Sequence, residues 1–137
     1  MTHRWPVRVY YEDVDLAGIV YYANYLRYIE RARSEMVRAA GVNQAAMRAE
    51  GRVFAVARIE ADYLRPARYD DALTVETELT RMTAARFEMA QRVWRDEALL
   101  FRATVTVVCM DLDSRPRRLP ASIVAMAGAT AADGIRP

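Results

Sequence analysis

Residues 24–40 read Asn24-Tyr25-Leu26-Arg27-Tyr28-Ile29-Glu30-Arg31-Ala32-Arg33-Ser34-Glu35-Met36-Val37-Arg38-Ala39-Ala40, and this stretch decides the architecture. Leu26, Ile29, Ala32, Met36 and Ala39 recur at three- and four-residue steps, the spacing of one face of an α-helix. Arg27, Glu30, Arg31, Ser34 and Arg38 fall mostly on other faces. Arg31 and Glu35 are i,i+4 neighbours of opposite charge, a pairing that supports a helix. Asn24 suits an N-cap and Gly41 a C-terminal stop. The spacing predicts a helix over 24–40 with one apolar stripe, and that stripe needs an apolar surface to lie on.

Downstream, the period changes from helical to alternating. Asn43 to Glu50 reads as a further short helix closed by Gly51, and everything from Val53 to Met110 reads as strand. Ala57, Ile59, Ala61 and Tyr63 alternate with Arg58, Glu60 and Asp62. Leu73, Val75, Thr77 and Leu79 alternate with Thr74, Glu76 and Glu78. Phe87, Met89, Gln91 and Val93 alternate with Glu88 and Arg92, and 101–110 is rich in β-branched residues. Polar turns at 65–71, 82–84 and 95–97 separate these runs. Alternation of this kind predicts an antiparallel sheet with one wet face. Upstream, Val7, Val9 and Tyr11 alternate with Arg8 and Tyr10, which reads as a short first strand. The expected fold class is α+β: a strand, a long helix, then four strands whose apolar face receives the helix. Pro120 to Met126 reads as a short closing helix, so one domain is expected over 1–127, with 128–137 a small, polar, flexible tail.

Composition narrows the function. A chain of 137 residues, 53% hydrophobic and 28% charged, has enough apolar material for a core and too much for disorder. No apolar run is long enough for a transmembrane helix, and the N-terminus has no signal-peptide pattern, so a soluble cytoplasmic protein with no membrane insertion is the expectation. The basic residues are all Arg, but they total 20 against 18 acids for a net charge of +2, and no basic block suits a nucleic acid. The only His is His3, in an end expected to be mobile. A Ser-His-Asp triad, a Cys-His dyad and a His-based metal site are thereby excluded. The only Cys, Cys109, sits in an apolar strand and reads as a buried small hydrophobe.

Chemistry without His points to 12–25, Glu12-Asp13-Val14-Asp15-Leu16-Ala17-Gly18-Ile19-Val20-Tyr21-Tyr22-Ala23-Asn24-Tyr25. Three acids fall within four residues, Gly18 frees the backbone, and the helix that follows directs its unbonded N–H groups back at the loop. A carboxylate beside such amides can run acyl transfer, because backbone N–H groups stabilise an oxyanion. The same residues also fit an acidic loop that only caps a helix. Six of the eight Tyr lie between Tyr10 and Tyr28 and suit either an acyl or aryl pocket or packing.

The run 13–25, with Arg8-Val9 before it, resembles the signature of the 4-hydroxybenzoyl-CoA thioesterase family of hotdog-fold enzymes. Beyond it, 28–36, 63–71 and 115–124 resemble the Tol-Pal system-associated acyl-CoA thioesterase branch of that family, so the resemblance runs from about Arg8 to Ala127. It implies a curved antiparallel sheet wrapped around the long helix and hydrolysis of an acyl-CoA thioester to free acid and CoA, with short-chain or aromatic acyl groups expected. Asp15 matches the family's catalytic carboxylate, as nucleophile or general base. Tyr22 falls where a backbone N–H polarises the thioester carbonyl, and Gly18 would admit the acyl group. Arg115, Arg117 and Arg118 are candidates for the CoA phosphates, as are Arg65 and Arg68. The resemblance needs no cofactor and implies a homodimer or homotetramer with shared sites. Acyl carrier protein is compatible as a partner, and a non-catalytic acyl-CoA or acyl-carrier binding module is the rival reading. Two positions depart from the branch pattern. Many relatives have His where this chain has Tyr22, and Val14 replaces a usual Thr or Cys.

Overall fold

The computed structural model describes residues 2–131. Strand β1 covers Thr2–Arg8, helix α1 Asn24–Ala39 and helix α2 Gln44–Ala49. Strands β2 (Val53–Tyr63), β3 (Ala72–Met82), β4 (Arg86–Arg95) and β5 (Ala98–Met110) follow, and helix α3, Ala121–Ala131, closes the described chain. The five strands form one antiparallel sheet in the order β1-β3-β4-β5-β2. Hairpins join β3, β4 and β5. Helices α1 and α2 carry the chain from the β1 edge across to the β2 edge, so the helical segment crosses the sheet it covers.

The alternation read from the sequence is the alternation seen. Leu73, Val75, Thr77 and Leu79 of β3 are buried, and so are Phe87, Met89, Gln91 and Val93 of β4. Their neighbours form a charged outer face, where Arg92 bridges Glu76 and Glu78. Two inward positions are polar, and the structure pairs them. Gln91 donates from Nε2 to the Ile29 carbonyl and to Thr77 Oγ1, each at 2.9 Å. That bond ties the middle of α1 to the sheet and satisfies groups whose burial alone would cost stability.

Several local expectations are corrected. The first strand ends at Arg8, and Tyr11–Asp13 is a 3-10 turn, because Val9 and Asp70–Asp71 bond backbone to backbone and pull the chain off the sheet line. His3 lies in β1, stacked on Trp5 with ring centroids 6.5 Å apart, rather than in a mobile end. The buried face of α1 is Tyr25, Tyr28, Ile29, Ala32, Met36 and Val37, while Leu26 and Ala39 are exposed. The tyrosines shift the stripe by a fraction of a turn, since their rings carry more apolar area than Leu26 can add. Ala23, not Asn24, is the N-cap, and the Asn24 amide donates instead to the Asp13 carbonyl at 2.9 Å. Glu35 pairs with Arg38 rather than Arg31. Helix α3 runs beyond Met126 into the stretch read as tail, and residues 132–137 lie outside the described residues.

Candidate active site

The loop between β1 and α1 folds into a small hairpin of its own. Val14 bridges Val20, and Asp15 N–H donates to the Ile19 carbonyl at 2.9 Å. Gly18 closes the turn by donating to the Asp15 carbonyl, with φ at +78°, a left-handed conformation that costs an L-residue with a side chain about 1–2 kcal/mol. The hairpin is docked on the 65–71 turn through Val20 N–H to the Ala67 carbonyl at 2.8 Å and an Ile19–Arg68 bridge. Asp13 is committed to structure. Its Oδ2 accepts the Tyr10 amide at 2.7 Å, and its carbonyl takes Tyr21 N–H and the Asn24 side chain. Glu12 is exposed. Of the three acids, Asp15 alone lines the cleft described next.

Asp15 is half-buried, and its Oδ1 accepts the Ala17 amide at 2.9 Å. That bond orients the carboxylate where a hydroxyl or thiol at position 14 is missing; Val14 packs against the core instead. Tyr22 stands immediately before α1. The Tyr21 carbonyl accepts Asn24 N–H at 2.8 Å, so the planar trans peptide directs the Tyr22 N–H the opposite way, out of the helix start. Among the described residues no acceptor takes that N–H. The Tyr22 carbonyl accepts the Tyr63 hydroxyl at 3.0 Å, which locks the next peptide as well.

Asp15 and Tyr22 line one open cleft of about 370 Å³, walled by Tyr21, Tyr63, Leu64 and Arg65. The tyrosines divide by depth. Tyr25 and Tyr28 are core, and Tyr25 stacks on Phe101 with centroids 5.0 Å apart. Tyr21, Tyr22 and Tyr63 are roughly half exposed and form the aromatic wall. The Tyr21 hydroxyl is held above its ordinary value by its hydrogen bond and proximity to Tyr22, with burial and Asp15 adding to it. Burial raises Tyr63. Both hydroxyls therefore stay protonated at neutral pH, as hydrogen-bond donors beside the carboxylate.

The arginine candidates separate. Arg65 lines the cleft, and Arg68 sits in the adjoining turn. Arg115, Arg117 and Arg118 do not join Asp15 and Gly18 within the chain. They follow β5, beside Cys109 and Arg52, where Met110 pairs with Val53. The cleft lies at the other end of the same strand pair, where Tyr63 meets Phe101. At about 3.3 Å per residue the two ends are roughly 30 Å apart. Tyr63 is the participant the sequence reading left among packing residues. Only the end of β2 meeting the start of α1 reveals it.

Comparison with known proteins gives this geometry a family. Residues 9–127 match the model of the thioesterase-like superfamily. The chain is 48% identical over 124 residues to the acyl-CoA thioester hydrolase YbgC of Escherichia coli, covering 89% of this chain and 92% of that one. It is 41% identical over 123 residues to the acyl-CoA thioesterase YbgC of Haemophilus influenzae, covering 88% and 90%. The solved structure of a probable thioesterase from Bartonella henselae superposes with a TM-score of 0.83 at 38% identity, over 88% of this chain and all of that one. A curved antiparallel sheet with a long helix across it, in this strand order, is the hotdog fold. The chain belongs to the thioesterase-like superfamily.

Proposed function

We propose that the protein hydrolyses acyl-CoA thioesters to the free acid and CoA, with Asp15 as the catalytic carboxylate. The observation that carries the reading is the pairing in one cleft of an oriented carboxylate with the unbonded Tyr22 amide at a helix start. The thioester carbonyl oxygen accepts the Tyr22 N–H, and the helix dipole favours the negative charge that develops there. Asp15 attacks the carbonyl carbon itself or takes the proton of an attacking water. The C–S bond breaks, CoA leaves as the thiol, and an added water oxygen ends in the acid. The two routes differ by an anhydride on Asp15, which single turnover in ¹⁸O-labelled water distinguishes. An aromatic wall and a cleft of this volume favour short-chain or aromatic acyl groups.

The arginines and the free edge of β2 support a homodimer. Strand β2 is an 11-residue sheet edge with exposed Val56 and Tyr63. Antiparallel pairing of two β2 edges reverses the strand, so the partner's 115–118 segment comes to the Tyr63 end where the cleft lies. Phosphate contact by Arg115, Arg117 and Arg118 is then made across the interface, with Arg65 contributing locally. Free-thiol release from a panel of short, long and aromatic acyl-CoAs, run beside Asp15→Asn, tests the function. Turnover that falls at least 100-fold in a folded Asp15→Asn protein supports it. Tight acyl-CoA binding with no turnover in the wild type replaces it with the binding-module reading.

A further inference from the structure

A second pocket lies between α1 and the start of β2, with no lining residue in common with the Asp15 cleft. It encloses about 170 Å³, below the 300 Å³ or so that suits a drug-sized ligand and right for a few carbons or one ring. Phe54, Val56, Phe87 and Val107 make its apolar wall, with Phe54 set edge-on to Phe87 at 5.4 Å. Arg33 makes its polar wall. This guanidinium is partly buried, and burial lowers its pKa, with Glu30 opposing. Its one hydrogen bond among the described residues runs from Nη1 to Gln91 Oε1 at 3.3 Å. Gln91 is itself locked by Ile29 and Thr77, so the guanidinium is aimed rather than free.

No ion pair among the described residues involves Arg33. A desolvated guanidinium without a carboxylate is costly, and a bidentate anion is what its remaining donors match. Glu30 also borders the pocket, but it is exposed, stands outside ion-pair distance and is engaged by Ser34 Oγ at 3.2 Å. We propose that the Arg33 pocket is a second binding site, for a small carboxylate with a short aliphatic or single-ring body. That is the chemical class of the free acid the proposed reaction releases. The identity of the natural ligand rests on that reading, and the binding itself does not.

Calorimetric titration of benzoate and butyrate into the wild type, Asp15→Asn, Arg33→Met and Val56→Trp tests the site. Val56→Trp fills the pocket from its exposed rim and leaves Arg33 and Gln91 in place. The expected result is binding equal in wild type and Asp15→Asn, and at least tenfold weaker in both pocket variants, each checked for fold by circular dichroism. Benzamide and phenol, which lack the charge, are expected to bind at least tenfold more weakly than benzoate. Equal binding of benzamide or phenol overturns the proposal, because the site would then read shape or a hydroxyl. Benzoate binding that survives both pocket variants, or is lost in Asp15→Asn, places the ligand elsewhere and overturns it too. So does the absence of carboxylate binding in the wild type. Thioesterase turnover plays no part in these readouts, so the site and the proposed activity fail separately.

Discussion

Gly18 shows how one residue sets the chemistry of its neighbour. A Cβ built there would meet nothing within 4 Å, so Gly18→Ala is opposed only by its φ of +78°. The expected cost is about 1–2 kcal/mol, read as a melting temperature roughly 3–8 °C lower. Activity should fall further than stability, because the turn Gly18 closes also holds the Asp15 carboxylate on the Ala17 amide. A melting curve and thiol-release kinetics on the same sample check both halves. Tyr63→Phe removes only the hydroxyl that donates to the Tyr22 carbonyl. It should reduce turnover by about tenfold or less, since a neutral hydrogen bond is worth roughly 1 kcal/mol, and leave the melting temperature nearly unchanged.

At the scale of elements, two polar ties hold α1 and the 65–71 turn where the cleft needs them. Gln91→Leu keeps the volume of β4 but strands the Thr77 hydroxyl and the Arg33 guanidinium in the interior. Chemical denaturation should show a loss of about 2 kcal/mol or more. The turn depends on Asp71. Burial pushes its carboxyl up, but the Arg68 amide and Arg95 guanidinium outweigh that and hold it below the usual carboxylate value. Arg95 also donates to the Pro66 carbonyl, so the ion pair anchors the wall of the cleft. A depressed carboxyl contributes stability that is full above its unfolded pKa of about 3.9 and is lost as pH falls through the folded value. Asp71→Asn should therefore be less stable than wild type by about 1 kcal/mol at pH 7, and the gap should close below about pH 4. Thermal melts across that range check the sign.

For the whole molecule, the decisive feature is that β2 ends the sheet while the cleft and the 115–118 arginines lie at its opposite ends. Ala57 is exposed at the β-bulge where β2 slips against β5. Proline is tolerated at edge-strand bulges and blocks further strand pairing. Ala57→Pro should thus keep the fold and shift the protein to monomer in sedimentation experiments. Its KM for acyl-CoA should rise, because each cleft loses the arginines its partner supplies. An unchanged sedimentation coefficient would remove β2 as the dimer edge. Among the described residues no helix is long and apolar enough to cross a membrane.

Local pattern alone determined the long helix, the alternating faces of β3 and β4 and the absence of His-based chemistry. These follow from periodicity and composition, which need no knowledge of distant neighbours. The loop carrying Asp15, Gly18 and Tyr22 was also legible, because its acids, glycine and helix start are contiguous. Three things were decided only by tertiary structure. The exposed Leu26 and buried Tyr28 traded places because the sheet, not the helix, chooses which stripe is covered. Asp15 was distinguished from Asp13 by hydrogen bonds that form only when the loop docks on α1. The arginines at 115–118 were separated from the cleft, and Tyr63 and Arg65 brought to it, by strand order. That order depends on which edges the crossing helices connect, and hydrophobic alternation is the same for every order of the same strands.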